Sequence, residues 1–244
     1  MIQELWDYLT TTTSGSARKE GYLYHSIALA HRARRCRQHW SGHLNQCHAS
    51  ISSCLEHKEK GGTVAVLGSG LLLETPIKLL NSYFDQIDLV DVVHTKDVRS
   101  SVALNPEHAK VRFIEMDLNK ETLQGRYDCV ISANLLSQLP YLIIKKLVDK
   151  SSHGEGPNKK VEVLTRDLQE RHLNQILSLS ERRILFSDFE MKVCDPNHQL
   201  LEKVDTVSKN LKLNWKKKWN WNLAPIPELS KNYSVELLVG LADI

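Results

Sequence analysis

The chain has no uninterrupted apolar run near the roughly 20 residues that a membrane-spanning helix needs. Its start, Met1-Ile-Gln-Glu-Leu-Trp-Asp7, lacks the basic residues and apolar stretch of a signal peptide. The expectation is a cytoplasmic protein that makes no membrane contact. Cysteine is sparse: Cys36, Cys47, Cys54, Cys129 and Cys194 are odd in number and scattered, which reads as reduced thiols rather than a disulfide framework. Charge of one sign is also missing. A formal net charge of +3 is too small to call for nucleic acid. There is no Gly-x-Ser-x-Gly nucleophile turn and no phosphate-cradling glycine loop with its lysine. The histidines that crowd the first quarter (His25, His31, His39, His43, His48, His57) form no tight ligand set with the cysteines. His39 and His43 are four apart and spaced to touch one metal ion, but a solvated helix face is the better reading, and no metal is expected.

What is present is ordinary material for a globular core: 41% hydrophobic and 25% charged residues over 244 positions. That length fits one large α/β domain, or a core domain with additions. Between residues 18 and 60 there are eight Lys/Arg against three acids. In the same region Leu23, Ile27, Ala30, Trp40, Leu44, Cys47 and Ile51 recur at three- and four-residue steps, a helix period. Ser41-Gly42 is the expected break between two helices, and residues 10–16 read as a loop. This sets residues 1–60 as an N-terminal helical cap or extension and 61–244 as the α/β domain.

Further along, strands are expected at 63–67, 87–91, 111–115 and 127–132. Helices are expected from Thr75-Pro76 (cap and first position) to about Phe84, from Leu139 to about Asp149, and as one long helix through Val161–Leu177. Residues 94–109 read as mixed and loop-like with room for one short helix, and 151–158 as a polar loop. Strand five is placed at Arg183–Ser187, then Phe189–Cys194 and Leu200–Val204 flank the turn Asp195-Pro-Asn-His198, and Ser234–Leu241 is the last strand. Alternating strands and helices predict a mostly parallel sheet covered on both faces, with an antiparallel C-terminal edge.

The most informative stretch is Val64-Ala-Val-Leu-Gly-Ser-Gly-Leu-Leu-Leu-Glu74 followed by Ile87-Asp-Leu-Val-Asp91. An apolar strand breaks into a glycine turn, and the next strand ends in an acid. Glycine lets backbone approach a ligand, and an acid at the second strand end can accept from ribose hydroxyls. Downstream come Phe113-Ile-Glu-Met-Asp117-Leu118 and Asp128-Cys-Val-Ile-Ser-Ala-Asn134-Leu-Leu-Ser-Gln138-Leu-Pro140.

In this order the segments resemble the class I S-adenosylmethionine-dependent methyltransferases, and a bacterial branch of that family most of all. The resemblance covers about residues 60–150. It implies a Rossmann-like methyltransferase fold, S-adenosylmethionine as cofactor and methyl transfer as the activity. By the resemblance, Gly68, Ser69 and Gly70 pass the methionine part of the cofactor, and Asp91 with Val92 holds the ribose. Asp117 and Leu118 flank the adenine, and Asn134 and Leu135 face the transferred methyl. The chain departs from the pattern in having Val66 where the family has an acid, and Leu72 at the third glycine position. Glu74 is the acid able to replace the missing one.

The acceptor is not legible. A small molecule is expected, with His94, Ser137, Gln138, Arg34 and Arg35 as candidates to contact it. No catalytic base is visible, and a methyl on a sulfonium does not oblige one. Trp215-Lys-Lys-Lys-Trp219-Asn-Trp221 has the makings of a base-stacking basic strip, but indoles packed under a sheet edge with wet lysines is the favoured reading. A non-catalytic cofactor- or partner-binding protein on the same fold remains the alternative. A nucleotide-sugar or nicotinamide-dependent enzyme on a related fold is disfavoured by the short glycine turn and by Asp117-Leu118.

Overall fold

The computed structural model describes residues 2–104, 110–150 and 159–244. Four helices come first: α1 (Ile2–Thr10), α2 (Gly15–Lys19), α3 (Tyr22–Arg35) and α4 (Arg37–Leu55). The α/β part follows as β1 (Thr63–Leu67), α5 (Ile77–Tyr83), β2 (Gln86–Asp91), α6 (Lys96–Ala103), β3 (Val111–Glu115), β4 (Cys129–Ala133), α7 (Leu135–Gln138), α8 (Tyr141–Lys150) and α9 (Lys159–Leu179). It closes with β5 (Arg183–Cys194), β6 (Leu200–Asp205), β7 (Asn214–Ala224) and β8 (Ser234–Asp243).

All eight strands join one sheet in the order β3-β2-β1-β4-β5-β8-β7, with β6 paired to β5. The pairs from β3 to β5 are parallel; β8 runs antiparallel to both β5 and β7, and β6 antiparallel to β5. This is the Rossmann-like class, mostly parallel with an antiparallel C-terminal edge. The chain moves outward from β1 to β2 to β3, then returns to place β4 on the other side of β1. The crevice beyond the carboxyl ends of β1 and β4 is therefore the topological switch point, where ligands bind in such sheets.

Period-two alternation divides the core. Val64, Val66, Cys129, Ile131, Ile184 and Phe186 face one side, where α4 and α5 contribute Trp40, Cys47, Ile51, Leu55 and Leu80. Ala65, Leu67, Val130 and Leu185 face the other, under Leu136 of α7 and Ile176 and Leu179 of α9. Each such aliphatic side chain contributes about 1.5–3 kcal/mol when buried, so both layers are needed to hold the central strands.

Several expectations need correcting. The α3–α4 break falls at Cys36, not at Ser41-Gly42; Gly42 sits inside α4, where an added Cβ would meet nothing. A lone exposed glycine costs a helix only about 1 kcal/mol, less than the apolar stripe of α4 contributes. Residues 2–10 and 15–19 are helical, so the expected 10–16 loop shortens to the residues between α1 and α2. Pro76 occupies the cap position of α5, and buried Thr75 gives no side-chain cap. Strand five does not stop at Ser187: a bulge between Asp188 and Glu190 carries it on as one strand from its parallel partner β4 to its antiparallel partners. The Trp215–Trp221 segment lies on a strand, β7, with Trp219 and Trp221 buried. The short helix expected within 94–109 is α6, while 105–109, like the 151–158 loop, fall outside the described residues. Among the described residues no helix is long and apolar enough to cross a membrane.

Candidate functional site

The site begins where β1 ends. The backbone N–H groups of Gly68 and Ser69 donate to the Val90 carbonyl at 2.9 and 3.3 Å, tying the turn to β2. Gly68 has φ +72°, and a Cβ on it would lie 2.8 Å from Leu135 Cβ and 3.2 Å from the Ala133 oxygen. The turn is thus pressed against the end of β4, and only glycine fits. Gly70, at φ +48°, donates its N–H to Asp91 Oδ2 at 2.8 Å. Leu72 also takes a left-handed φ, +59°. The cost for such a residue is about 1–2 kcal/mol, offset by its side chain packing on the α4–α5 side of the core.

Asp91 ends β2. Its Oδ1 accepts from the Val93 N–H at 3.4 Å. Burial pushes its carboxyl upward, opposed by nearby His94 and by the backbone donors. His94 is itself buried, and burial pushes its imidazole downward, against the pull of Asp91. Its Nε2 donates to the Ile114 carbonyl at 3.3 Å, since a carbonyl can only accept. Its Nδ1 is then a lone-pair acceptor without a partner. Val92 packs with Val93 against Leu23 and Ile27 of α3.

At the end of β3, Asp117 Oδ1 accepts from the Asn119 N–H at 3.0 Å, while Oδ2 meets Lys120 Nζ at 3.1 Å and the Tyr22 hydroxyl at 3.4 Å. Leu118 is buried in the α7–α9 side of the core. Asn119 donates through Nδ2 to the Leu139 carbonyl. At the end of β4, Asn134 takes φ +50°, which asparagine tolerates better than most residues. Leu135 sits against Gly68, and Ser137 donates to buried Asp188 at the β5 bulge. Burial raises the Asp188 carboxyl above its ordinary range. Gln138 is exposed.

Glu74 is 18% exposed, with Oε1 3.7 Å from Nε2 of His43 on α4. The sequence reading missed His43, which was assigned to a solvated helix face and is fully buried; His39, one turn earlier, is the exposed member of that pair. The two therefore do not share a metal, and among the described residues no group of three candidate ligands converges. An apolar spacing check would have found His43, because Trp40, His43 and Cys47 continue the buried stripe. Arg34 and Arg35 are not brought to the strand ends. Arg34 pairs with Asp97, and Arg35 binds Glu228 through two nitrogens at 3.0 and 2.6 Å.

Four buried polar atoms at this edge have no partner: Ser69 Oγ after β1, His94 Nδ1 after β2, Asn119 Oδ1 after β3 and Asn134 Oδ1 after β4. An unsatisfied buried polar atom costs about 1–3 kcal/mol. One at each of four adjacent strand ends is what a polar ligand lying across the edge would satisfy.

No family model and no curated protein matches this sequence. Among solved structures, the chain is similar to a complex of DhpI with SAM and HEP (12% identity, 93% of this chain and 99% of that one, TM-score 0.45). It is similar to the 1,6-didemethyltoxoflavin-N1-methyltransferase of Burkholderia thailandensis with its bound substrate and S-adenosylhomocysteine (14%, 90% and 90%, 0.43). It is also similar to the magnesium protoporphyrin IX methyltransferase of Synechocystis PCC 6803 with bound SAM (13%, 82% and 79%, 0.44).

Proposed function

We propose that this chain is an S-adenosylmethionine-dependent methyltransferase acting on a small molecule. The observation that carries the proposal is the row of four orphaned polar atoms along the strand ends, beside a glycine turn whose N–H is held by the strand-end acid Asp91. Asp91 would take the ribose hydroxyls, with Val92 beside it, and the Gly68–Gly70 backbone would pass the methionine part. Asp117 and Leu118 would flank the adenine, and Asn134 and Leu135 the methyl. Val66 is fully buried in the sheet, so the acid for the cofactor's amino end would be Glu74, which lies at the same edge.

When bound, the cofactor supplies an electrophilic methyl on a sulfonium. The chain's own part is to hold the acceptor in line with that methyl and to exclude water. Among the acceptor candidates, Ser137 and Gln138 lie on α7 beside Asn134; Arg34 and Arg35 are engaged in ion pairs elsewhere. A second reading, a non-catalytic binder, draws on one observation: the Asp117 carboxylate is already engaged by Lys120 and Tyr22.

Calorimetry with S-adenosylmethionine, S-adenosylhomocysteine and NAD tests the proposal. The first two should bind and NAD should not. Asp91→Ala should weaken S-adenosylhomocysteine by at least about tenfold in a folded protein, because charge-assisted bonds contribute on the order of 1.5–3 kcal/mol each. Unchanged affinity in that variant rejects the site. Methyl transfer to a metabolite mixture, read by mass spectrometry, then separates the enzyme from the non-catalytic binder.

A further inference from the structure

His43 carries the N-terminal helices into the turn that follows β1. It projects from α4 and is fully buried. Its ring lies flat against Trp221, with centroids 4.0 Å apart and planes 4° apart. Trp219 reaches the ring from β7: its indole Nε1–H donates to His43 Nδ1 at 3.0 Å. Indole nitrogen is a donor only, so Nδ1 must be the bare, accepting nitrogen. The hydrogen of the neutral ring is therefore on Nε2. That nitrogen faces the side-chain amide of Asn134 at 3.4 Å and Cys47 Sγ at 3.6 Å, with Glu74 Oε1 just beyond hydrogen-bond distance at 3.7 Å. An N–H needs an acceptor, so the Asn134 amide meets it through oxygen when turned by half a revolution. That turn pairs Asn134 Oδ1 with the ring and leaves the amide Nδ2 as the unpartnered polar atom at the end of β4.

We propose that His43 is a positioning residue for the cofactor's amino-acid end: Trp219 locks its tautomer, its Nε2–H orients the Asn134 amide, and the same N–H attracts the neighbouring Glu74 carboxylate. This rests on the functional reading above. It gives the N-terminal helices a defined share in the site. Three tryptophans pack around His43: Trp40 meets Trp221 edge-on at 5.0 Å and donates to the Leu223 carbonyl, which backs the His43 ring with buried indole.

Two substitutions separate positioning from mere packing. In His43→Gln the amide nitrogen stands roughly where Nε2 stood, keeping the donor toward Glu74 and Asn134 but leaving Trp219 without its acceptor. In His43→Asn the amide oxygen keeps the acceptor for Trp219 and loses the reach toward Glu74. Positioning predicts that His43→Asn binds S-adenosylhomocysteine about fivefold or more weakly, the size of one hydrogen bond's net contribution, while His43→Gln stays nearer the wild type. The opposite ranking, or equal affinities, overturns it. His39→Asn, at the exposed position one turn away, is the control. If neither variant folds, histidine ring 15N spectra of the wild-type protein decide. The signals assigned to the His43 ring should show its proton on Nε2, and they should move when S-adenosylhomocysteine is added. A proton on Nδ1, or signals that stay fixed while the ligand binds, overturns the inference. Wild-type protein that binds no S-adenosylhomocysteine overturns the functional reading itself, which is a separate result from wild-type binding that is indifferent to His43.

Discussion

His43 and His172 are both buried beneath helices, on opposite faces of one sheet, and they differ in what surrounds their nitrogens. His43, from α4, has a donor fixed on Nδ1 and an acid and an amide at Nε2. His172, from α9, shares one contact with the Ser132 hydroxyl, 2.8 Å from its Nε2, and its Nδ1 has no partner. Burial alone pushes its imidazole down to about 4. The α4 face thus ties its imidazole into the strand-end site. The α9 face uses one as core, and that core carries a sensitivity to acid.

The largest expected effect tests whether the α4 face is core or merely a cover. Trp40 is almost fully buried. Trp40→Ala should cost about 3–5 kcal/mol, read as a fall in the urea midpoint. A cost below about 1 kcal/mol would mean that α4 only rests on the sheet.

Next is the acid response of the other face. The folded His172 imidazole titrates at about 4 against an ordinary 6.5, so between these values only the unfolded chain takes up the proton. Its contribution is full above about pH 6.5 and is lost as the pH falls toward 4, amounting to up to about 3 kcal/mol. His172→Gln should flatten that part of the stability profile and leave S-adenosylhomocysteine affinity unchanged. An acid slope that survives the substitution would place the sensitivity elsewhere.

Gly68→Ala acts where the two faces meet. Positive φ and a Cβ 2.8 Å from Leu135 should together cost about 2 kcal/mol and weaken the cofactor. Thermal melts and calorimetry on the same sample should show both losses; a loss of stability with affinity intact would put the cofactor away from this turn. The smallest effect belongs to Arg34→Ala, which removes an exposed ion pair with Asp97 and should shift stability by less than about 1 kcal/mol. A large loss there would mean that the ion pair holds α3 in place over the sheet.

Much of the parallel half was legible. β1 was expected at the residues where it stands, because five apolar-leaning residues between Gly62 and Gly68 have one way to be buried on both sides. β2 follows the same rule, whereas β3 is an edge strand whose Arg112 and Glu115 are exposed. The antiparallel half was not legible to the same degree. The Trp215–Trp221 segment reads best as indoles packed under a sheet edge, and Trp219 and Trp221 are buried on edge strand β7, but its partner β8 and their register could not be read from composition. The continuous β5 was missed because a bulge carries no composition of its own at Ser187–Phe189.

The sequence by itself determined the local elements of the candidate site: the glycine turn, the strand-end acids Asp91 and Asp117, and Asn134. Each follows from short-range chemistry, the spacing of apolar residues and the φ angles that glycine and asparagine accept. Only the tertiary structure decided what they share. His43, Glu74, Asn134 and Trp219 come from four separate stretches of chain, and hydrophobic periodicity reports burial without naming the partner. Burial of His43 followed from the stripe on α4. Its tautomer, its stack on Trp221 and its reach to Glu74 followed from where β7 and the glycine turn were brought against that stripe.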